Sequence, residues 1–196
     1  RRTMFLADPP QTPAVRALYD QARAEDGYVM NLVRGWAWRP GVHEAFMKAR
    51  ALLLDETSLS KREIAVLNTA TATRRGDSYC AIAWGTRLAA LSDVDTAAAV
   101  VRGGEAANLT QREAALARWA RLVTHDANAV THADADALRA AGFTDGEIAD
   151  ATLFVAFRLA FTTVNAALGA QPDRRLADEA PAAVLDAVTF GRAIGA

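Results

Sequence analysis

Apolar and polar positions along this chain recur at three- and four-residue intervals almost from end to end. No stretch alternates valines, isoleucines and aromatics with polar residues as a half-buried strand does. The pattern predicts an all-α chain. Thr12 followed by Pro13 opens a helix with a capping residue and a first-turn proline, and Gly27 closes it. The segment "NLVRGWAWRP" then turns the chain. Pro40 starts a second helix running to about Glu56, and Ser60 caps a third that ends near Gly76. A fourth runs from Asp77 or Ser78 to Leu91. Ser92 with Asp95 opens a fifth, stopped by Gly103 and Gly104, and Thr110 with Glu113 opens a sixth. Thr131 or His132 begins a short seventh ending at Gly142, Thr144 with Glu147 begins a long eighth, and a last helix is expected from Asp178 to Ile194. This makes about eight or nine helices with no connection beyond about ten residues, so residues 1–196 read as a single domain with one core.

Two segments repeat a helix-start pattern: "LSKREIAVL" and "LTQREAALA". One such pair is too little for a repeat architecture. The most apolar stretch, Ala151 to Leu168, is about as long as a membrane span. It carries Arg158 and Asn165, which favours a buried or interface helix over a transmembrane one.

Charge removes further classes. The 22 basic and 23 acidic side chains leave a formal charge of -1, with no stripe of Lys and Arg, so no nucleic-acid partner is expected. A single cysteine excludes an intrachain disulfide, and "RRTMFLADPP" lacks the apolar run of a secretory signal; a cytoplasmic protein is expected. Hydrophobic residues make up 52% of the chain, and Trp36 and Trp38 crowd the turn before Pro40, where tryptophans plug a core or a subunit contact. That apolar excess points to a homo-oligomer.

The one cysteine, Cys80, is the first candidate for chemistry. In the first turn of its helix, unpaired N–H groups and the helix dipole favour a thiolate, whereas the nearby Asp77 carboxylate opposes it. Cys80, Trp84, Leu88 and Leu91 share one helical face, which is also how a packed core cysteine looks. Spacing leaves both readings open. Glu63, opening the preceding helix, is a candidate proton acceptor for the thiol. It is equally the N3 residue of a capping box with Ser60, a pattern repeated at Thr110 and Glu113 and at Thr144 and Glu147. His43, His125 and His132 stand at no metal-binding spacing, so neither a metal nor another cofactor is expected.

The order of "LSKREIAVLNTATATRRGDSYCAIAWGTRLAAL" and then "LTQREAALARWARLVTHDANAVTHADADALRAAGFTDGEIADATLFVAFRLAFTTVNAALG" resembles the peroxidase-related branch of the alkylhydroperoxidase D and carboxymuconolactone decarboxylase family. The early "GYVMNLVRGWAWRPGVHEAF" is similar to that branch as well, and "VTHADADALRAAGFTDGEIAD" is the most specific match. The resemblance implies an all-α fold, a helical hairpin carrying the site, and trimers or hexamers. It also implies a redox site of Cys-x-x-Cys, a histidine four residues after the second cysteine, and a glutamate on the preceding helix.

The match to that site is partial. Cys80 falls on the peroxide-attacking cysteine, and Glu63 on the glutamate if two extra residues are allowed in "TRRGD". Asp77 stands where the resolving cysteine would be and Trp84 where the histidine would be; with Tyr79 they are expected to line the site. Without a second thiol, a sulfenic acid on Cys80 needs an outside thiol for its reduction. Two readings follow. One is a single-cysteine, thiol-dependent hydroperoxide reductase, an antioxidant peroxidase of peroxiredoxin type. The other is a site-degenerate member that binds a ligand or partner without redox turnover. Lactone decarboxylation, the family's other named chemistry, ranks last because Trp84 replaces the relevant histidine.

Overall fold

A computed structural model describes residues 3–106 and 108–195, which form eleven α-helices and no strand. They are α1 (Pro13–Asp26), α2 (Asn31–Trp36), α3 (Pro40–Glu56), α4 (Lys61–Arg75), α5 (Ser78–Leu91), α6 (Val94–Val101), α7 (Gln111–His125), α8 (His132–Ala140), α9 (Asp145–Ala167), α10 (Arg174–Asp178) and α11 (Ala182–Ala187). A 3-10 turn, Ala127–Ala129, joins α7 to α8. The all-α class is as expected, with more helices than the pattern predicted. No helix among the described residues is long and apolar enough to cross a membrane.

Most helix starts fall where capping chemistry puts them. Thr12, Ser60, Asp77, Thr110 and Thr144 each accept a hydrogen bond from a backbone N–H two or three residues on. Three expectations change. "NLVRGWAWRP" is not a plain turn, because Asn31–Trp36 coil into α2. Asp93 rather than Ser92 caps α6, its carboxylate accepting from the Thr96 N–H at 2.7 Å. The long last helix does not form: Pro181 follows α10 and opens α11, and the chain then leaves helical geometry, with Gly191 at φ 78°. A side chain at Gly191 would also meet the Ser78 backbone nitrogen at 2.6 Å.

Helix α4 is the centre of the architecture. Every residue from Glu63 to Ala72 is buried, and α5, α6, α7 and α9 pack around it. A helix buried on all sides must satisfy its polar side chains internally. Thr69 and Thr71 hydroxyls donate to the carbonyls of Ala65 and Leu67, one turn back, at 2.7 and 2.8 Å. Asn68 does the same to Ile64 with its amide nitrogen at 3.0 Å, which leaves its carbonyl oxygen facing outward from the backbone.

The duplicated helix-start segments meet in space. The Arg62 guanidinium pairs with Glu113 at 2.8 Å and Arg112 with Glu63 at 2.8 Å, so α4 and α7 begin side by side, cross-braced by reciprocal ion pairs. Arg112 also reaches Glu147 of α9 at 3.0 Å and lies over the Phe143 ring. One arginine therefore ties the starts of α4 and α9 together.

A second apolar cluster, with Tyr19, Leu32, Val33, Trp36 and Tyr79, sits under α1 and α2. Trp36 is buried, stacked on Phe161 and Phe46, and donates its Nε1–H to Asn165 at 3.0 Å. Trp38 instead lies at the surface. Helix α9 is only half buried: Ala151, Phe154, Val155, Arg158, Thr162 and Asn165 face inward, while Leu153 is exposed.

Gly85 lets α5 approach α6 and α11. A Cβ there would stand 2.8 Å from a Val184 methyl and 3.0 Å from a Val101 methyl. Gly85→Ala is expected to lower unfolding stability by about 1–3 kcal/mol through overpacking, read from denaturant midpoints. An unchanged midpoint would show that the contact relaxes freely.

Candidate active site

Cys80 lies in the first turn of α5 because Asp77 caps that helix, accepting from the Cys80 N–H at 3.2 Å. The residue is buried, and its side chain contributes to the wall of a cavity of about 520 Å³. Most of that wall comes from three helices, with α1, α2 and α10 completing it. The inward stripe of α3 supplies His43, Phe46, Met47 and Arg50 at helical spacing. From α5 come Tyr79, Cys80, Trp84 and Arg87, and from α9 come Phe157, Arg158 and Phe161. Exposed acidic residues Glu25, Asp26 and Glu179 stand at the mouth.

The immediate partner of the sulfur is Arg158. Its Nη1 lies 3.7 Å from Cys80 Sγ, and its Nε donates to Asn68 Oδ1 at 3.1 Å, the oxygen that the α4 backbone leaves free. Arg158 is 6% exposed, and no carboxylate of the described residues approaches it within ion-pair distance. The same guanidinium lies 5.0 Å from the centre of the Trp84 ring, with Arg87 at 4.7 Å and Arg50 at 5.8 Å.

Electrostatics at the thiol are opposed. Burial pushes the Cys80 thiol up to about 12, against the pull of the Arg158 charge, and Asp77 adds to the rise through its charge and as a hydrogen-bond acceptor. Burial also raises the Asp77 carboxyl above the usual carboxylate range, opposed by hydrogen bonds from Cys80 and from the Tyr79 N–H. Asp77 Oδ2 is buried with no hydrogen-bond partner. Burial and repulsion from Arg158 and Arg87 bring Arg50 down to about 10.

The structure brings Cys80, Tyr79 and Trp84 to one cavity and Asp77 to the sulfur. It does not bring Glu63 there. Glu63 is absent from the cavity wall; one carboxylate oxygen accepts from the Ser60 N–H at 2.8 Å and the other from Arg112 at 2.8 Å, so the capping-box alternative describes it. Helical rise puts Glu63 about 7.5 Å along α4 from Asn68, the α4 residue that does reach the site. Tyr79 is turned to a buried pair of its own, its hydroxyl donating to Asp173, which also accepts from the Asn31 N–H at 3.0 Å. Leu91, expected on the same apolar face as Cys80, is 42% exposed because α5 ends there.

Sequence reasoning missed Arg50, Arg87 and Asn68 as site residues. A signal for Arg87 was present, since it follows Trp84 by three residues and Cys80 by seven on one helical face. Arg158 stood out as a charge within an apolar run, without a partner to give it meaning. Among the described residues no group of three His, Cys, Asp or Glu is placed to hold a metal ion.

No protein-family model and no curated protein matches the chain. Solved structures do. An alkylhydroperoxidase AhpD core, an uncharacterized peroxidase-related protein from Ralstonia eutropha JMP134, superposes with a TM-score of 0.78 at 25% identity, covering 90% of this chain and 95% of that one. An uncharacterized peroxidase-related protein from Silicibacter sp. TM1040 gives 0.77 at 23% identity over 90% and 95% of the two chains. A debrominase shares the fold at a TM-score of 0.73 and 12% identity, covering 95% and 97%. The fold thus carries differing chemistries, and activity has to be derived from this chain's own site. By its helix order and its superposition on these peroxidase-related structures, the chain has the all-α AhpD-like fold.

Proposed function

We propose that the chain is a single-cysteine, thiol-dependent reductase of organic hydroperoxides acting in the cavity at Cys80. The observation that supports this is one thiol at the wall of a ligand-sized space, 3.7 Å from the Arg158 guanidinium and in the helix turn that the Asp77 carboxylate caps. In this reading Asp77 accepts the thiol proton, which its buried, unpartnered Oδ2 and its burial-weakened acidity suit it to hold. The thiolate attacks the distal peroxide oxygen, so a sulfur–oxygen bond forms as the oxygen–oxygen bond breaks. Arg158 faces the negative charge that develops, and the leaving alkoxide takes the proton from Asp77 to depart as an alcohol. The peroxide is reduced and Cys80 becomes a sulfenic acid. The chain has no second cysteine, so two equivalents of an external thiol return it to the thiol, releasing water and a disulfide.

One observation favours a second reading, ligand binding without turnover. A thiol pushed up to about 12 is a thiolate in only about one molecule in 10⁵ at pH 7. In the peroxidase reading proton transfer to Asp77 in the loaded cavity overcomes this deficit; in the binding reading nothing does.

Because the thiolate is the reactive form and the thiol is raised, its share grows about tenfold per pH unit below that value. Alkylation of Cys80 in the native protein is expected to climb from pH 7 to 10 with no plateau, measured by mass spectrometry; a plateau below pH 9 would show an activated thiol.

Peroxide consumption with an added thiol separates the two functions. Cys80→Ser is expected to abolish it, and Asp77→Asn to slow it by roughly ten- to a thousandfold while speeding alkylation, since the variant removes both the proton acceptor and the charge that raises the thiol. Glu63→Gln is expected to cost stability and leave turnover within about twofold, because it touches the α4 cap rather than the cavity. Equal consumption by wild type and Cys80→Ser would leave the binding reading in place.

We further propose a homo-oligomer, a trimer or hexamer. Val42, Leu52 and Leu54 on α3 and Leu153 on α9 are exposed although the cavity lies between these helices. Sedimentation at micromolar concentration should show no dominant species at the chain mass of 20.9 kDa; a single species there refutes assembly.

A further inference from the structure

Arg50, Arg87 and Arg158 all lie within 6 Å of one indole ring, Trp84, in the wall of one cavity. None has a carboxylate within ion-pair distance among the described residues, and Arg50 and Arg87 have no hydrogen-bond partner there either. Elsewhere among the described residues the partly buried arginines at the helix starts are matched, Arg62 and Arg112 to Glu113, Glu63 and Glu147, and the exposed Arg139 and Arg175 pair with Asp136, Asp145 and Glu179. Three like charges around one ring repel each other, and the one that is buried, Arg158, is costly to desolvate, so the empty arrangement is tense unless an anion joins it.

We propose that this cavity is a binding site for an aromatic monocarboxylate, with the carboxylate taken by the three guanidinium groups beside Trp84 and the ring lodged against Phe46, Phe157 and Phe161. Guanidinium forks match a carboxylate in geometry and charge, whereas lysines would supply point charges. The aromatic lining is ordered for a flat body. Phe46 stacks over Phe161 at 6.1 Å and meets Phe157 edge-on at 85°. The mouth sets the charge limit. Glu25, held by the neutral Gln21, and Asp26 place negative charge at the opening, which disfavours a second anionic group on the ligand. A volume of about 520 Å³ suits a one- or two-ring molecule. This assigns a ligand class to the cavity used in the peroxidase reading, and it rests on that reading only in taking the cavity as the functional site.

The test is direct binding of 2-naphthoate, followed by calorimetry, beside neutral 2-naphthamide and naphthalene-2,6-dicarboxylate. The naphthoate is expected to bind at least about tenfold tighter than either, a difference of one charge-assisted contact, and to weaken as salt rises. Arg50→Met and Arg87→Met sit on less buried faces and should each weaken it about tenfold while keeping the thermal midpoint within a few degrees; a variant with a collapsed midpoint is replaced by the corresponding Lys variant, which should bind at an intermediate level. Equal affinity for the acid and the amide overturns the proposal, as does inorganic phosphate binding as tightly as naphthoate, or undiminished binding in both arginine variants. Peroxide turnover is unaffected as a readout by any of these results, so the carboxylate site and the redox reading fail independently.

Discussion

The buried charge of Arg158 is the constraint on which the site depends. Its guanidinium is held by two neutral groups, the Asn68 carbonyl oxygen and the Cys80 sulfur, rather than by a carboxylate. That arrangement is available because α4 is enclosed by other helices and its Asn68 amide is turned onto its own backbone, leaving the oxygen to accept from α9. A desolvated cation with no counter-ion is unfavourable by itself. It becomes useful where negative charge appears transiently, on a thiolate, an alkoxide or a bound anion.

The same principle explains why the thiol and the arginine do not neutralise one another in the empty cavity. Desolvation favours the uncharged thiol more strongly than one guanidinium offsets, while Asp77 adds its own negative charge to the opposing side. Asp77 occupies the place that the family resemblance gives to a second cysteine. A carboxylate there can hold a proton but cannot close a disulfide, so the proposed peroxidase reaction draws its recycling thiol from outside the chain.

Charge elsewhere is arranged for rigidity. The reciprocal Arg62–Glu113 and Arg112–Glu63 pairs cross-brace the starts of α4 and α7, with Glu147 drawing in α9. These pairs are only partly exposed and also close three capping boxes, so each carboxylate meets a backbone N–H as well as a cation. Helices α4 and α9 carry Asn68 and Arg158, and the bracing of their starts supports the register in which those two side chains meet.

Helix starts and the all-α class were legible in the sequence because caps and apolar periodicity are local: Ser60, Thr110 and Thr144 act within three residues of themselves. Cys80 and Trp84 were legible as one face of α5 for the same reason. Glu63 was legible as a capping residue or as a proton acceptor, and spacing could not choose, since the choice depends on Arg112, which lies 49 residues away. The last helix failed where Pro181 and the close approach of Gly191 to Ser78 override apolar content. What the tertiary structure decided is the meeting of Arg50, Arg87 and Arg158 at one tryptophan. They come from three helices, and nothing local in the chain distinguishes an arginine that will be matched by a carboxylate from one that will be left facing a cavity.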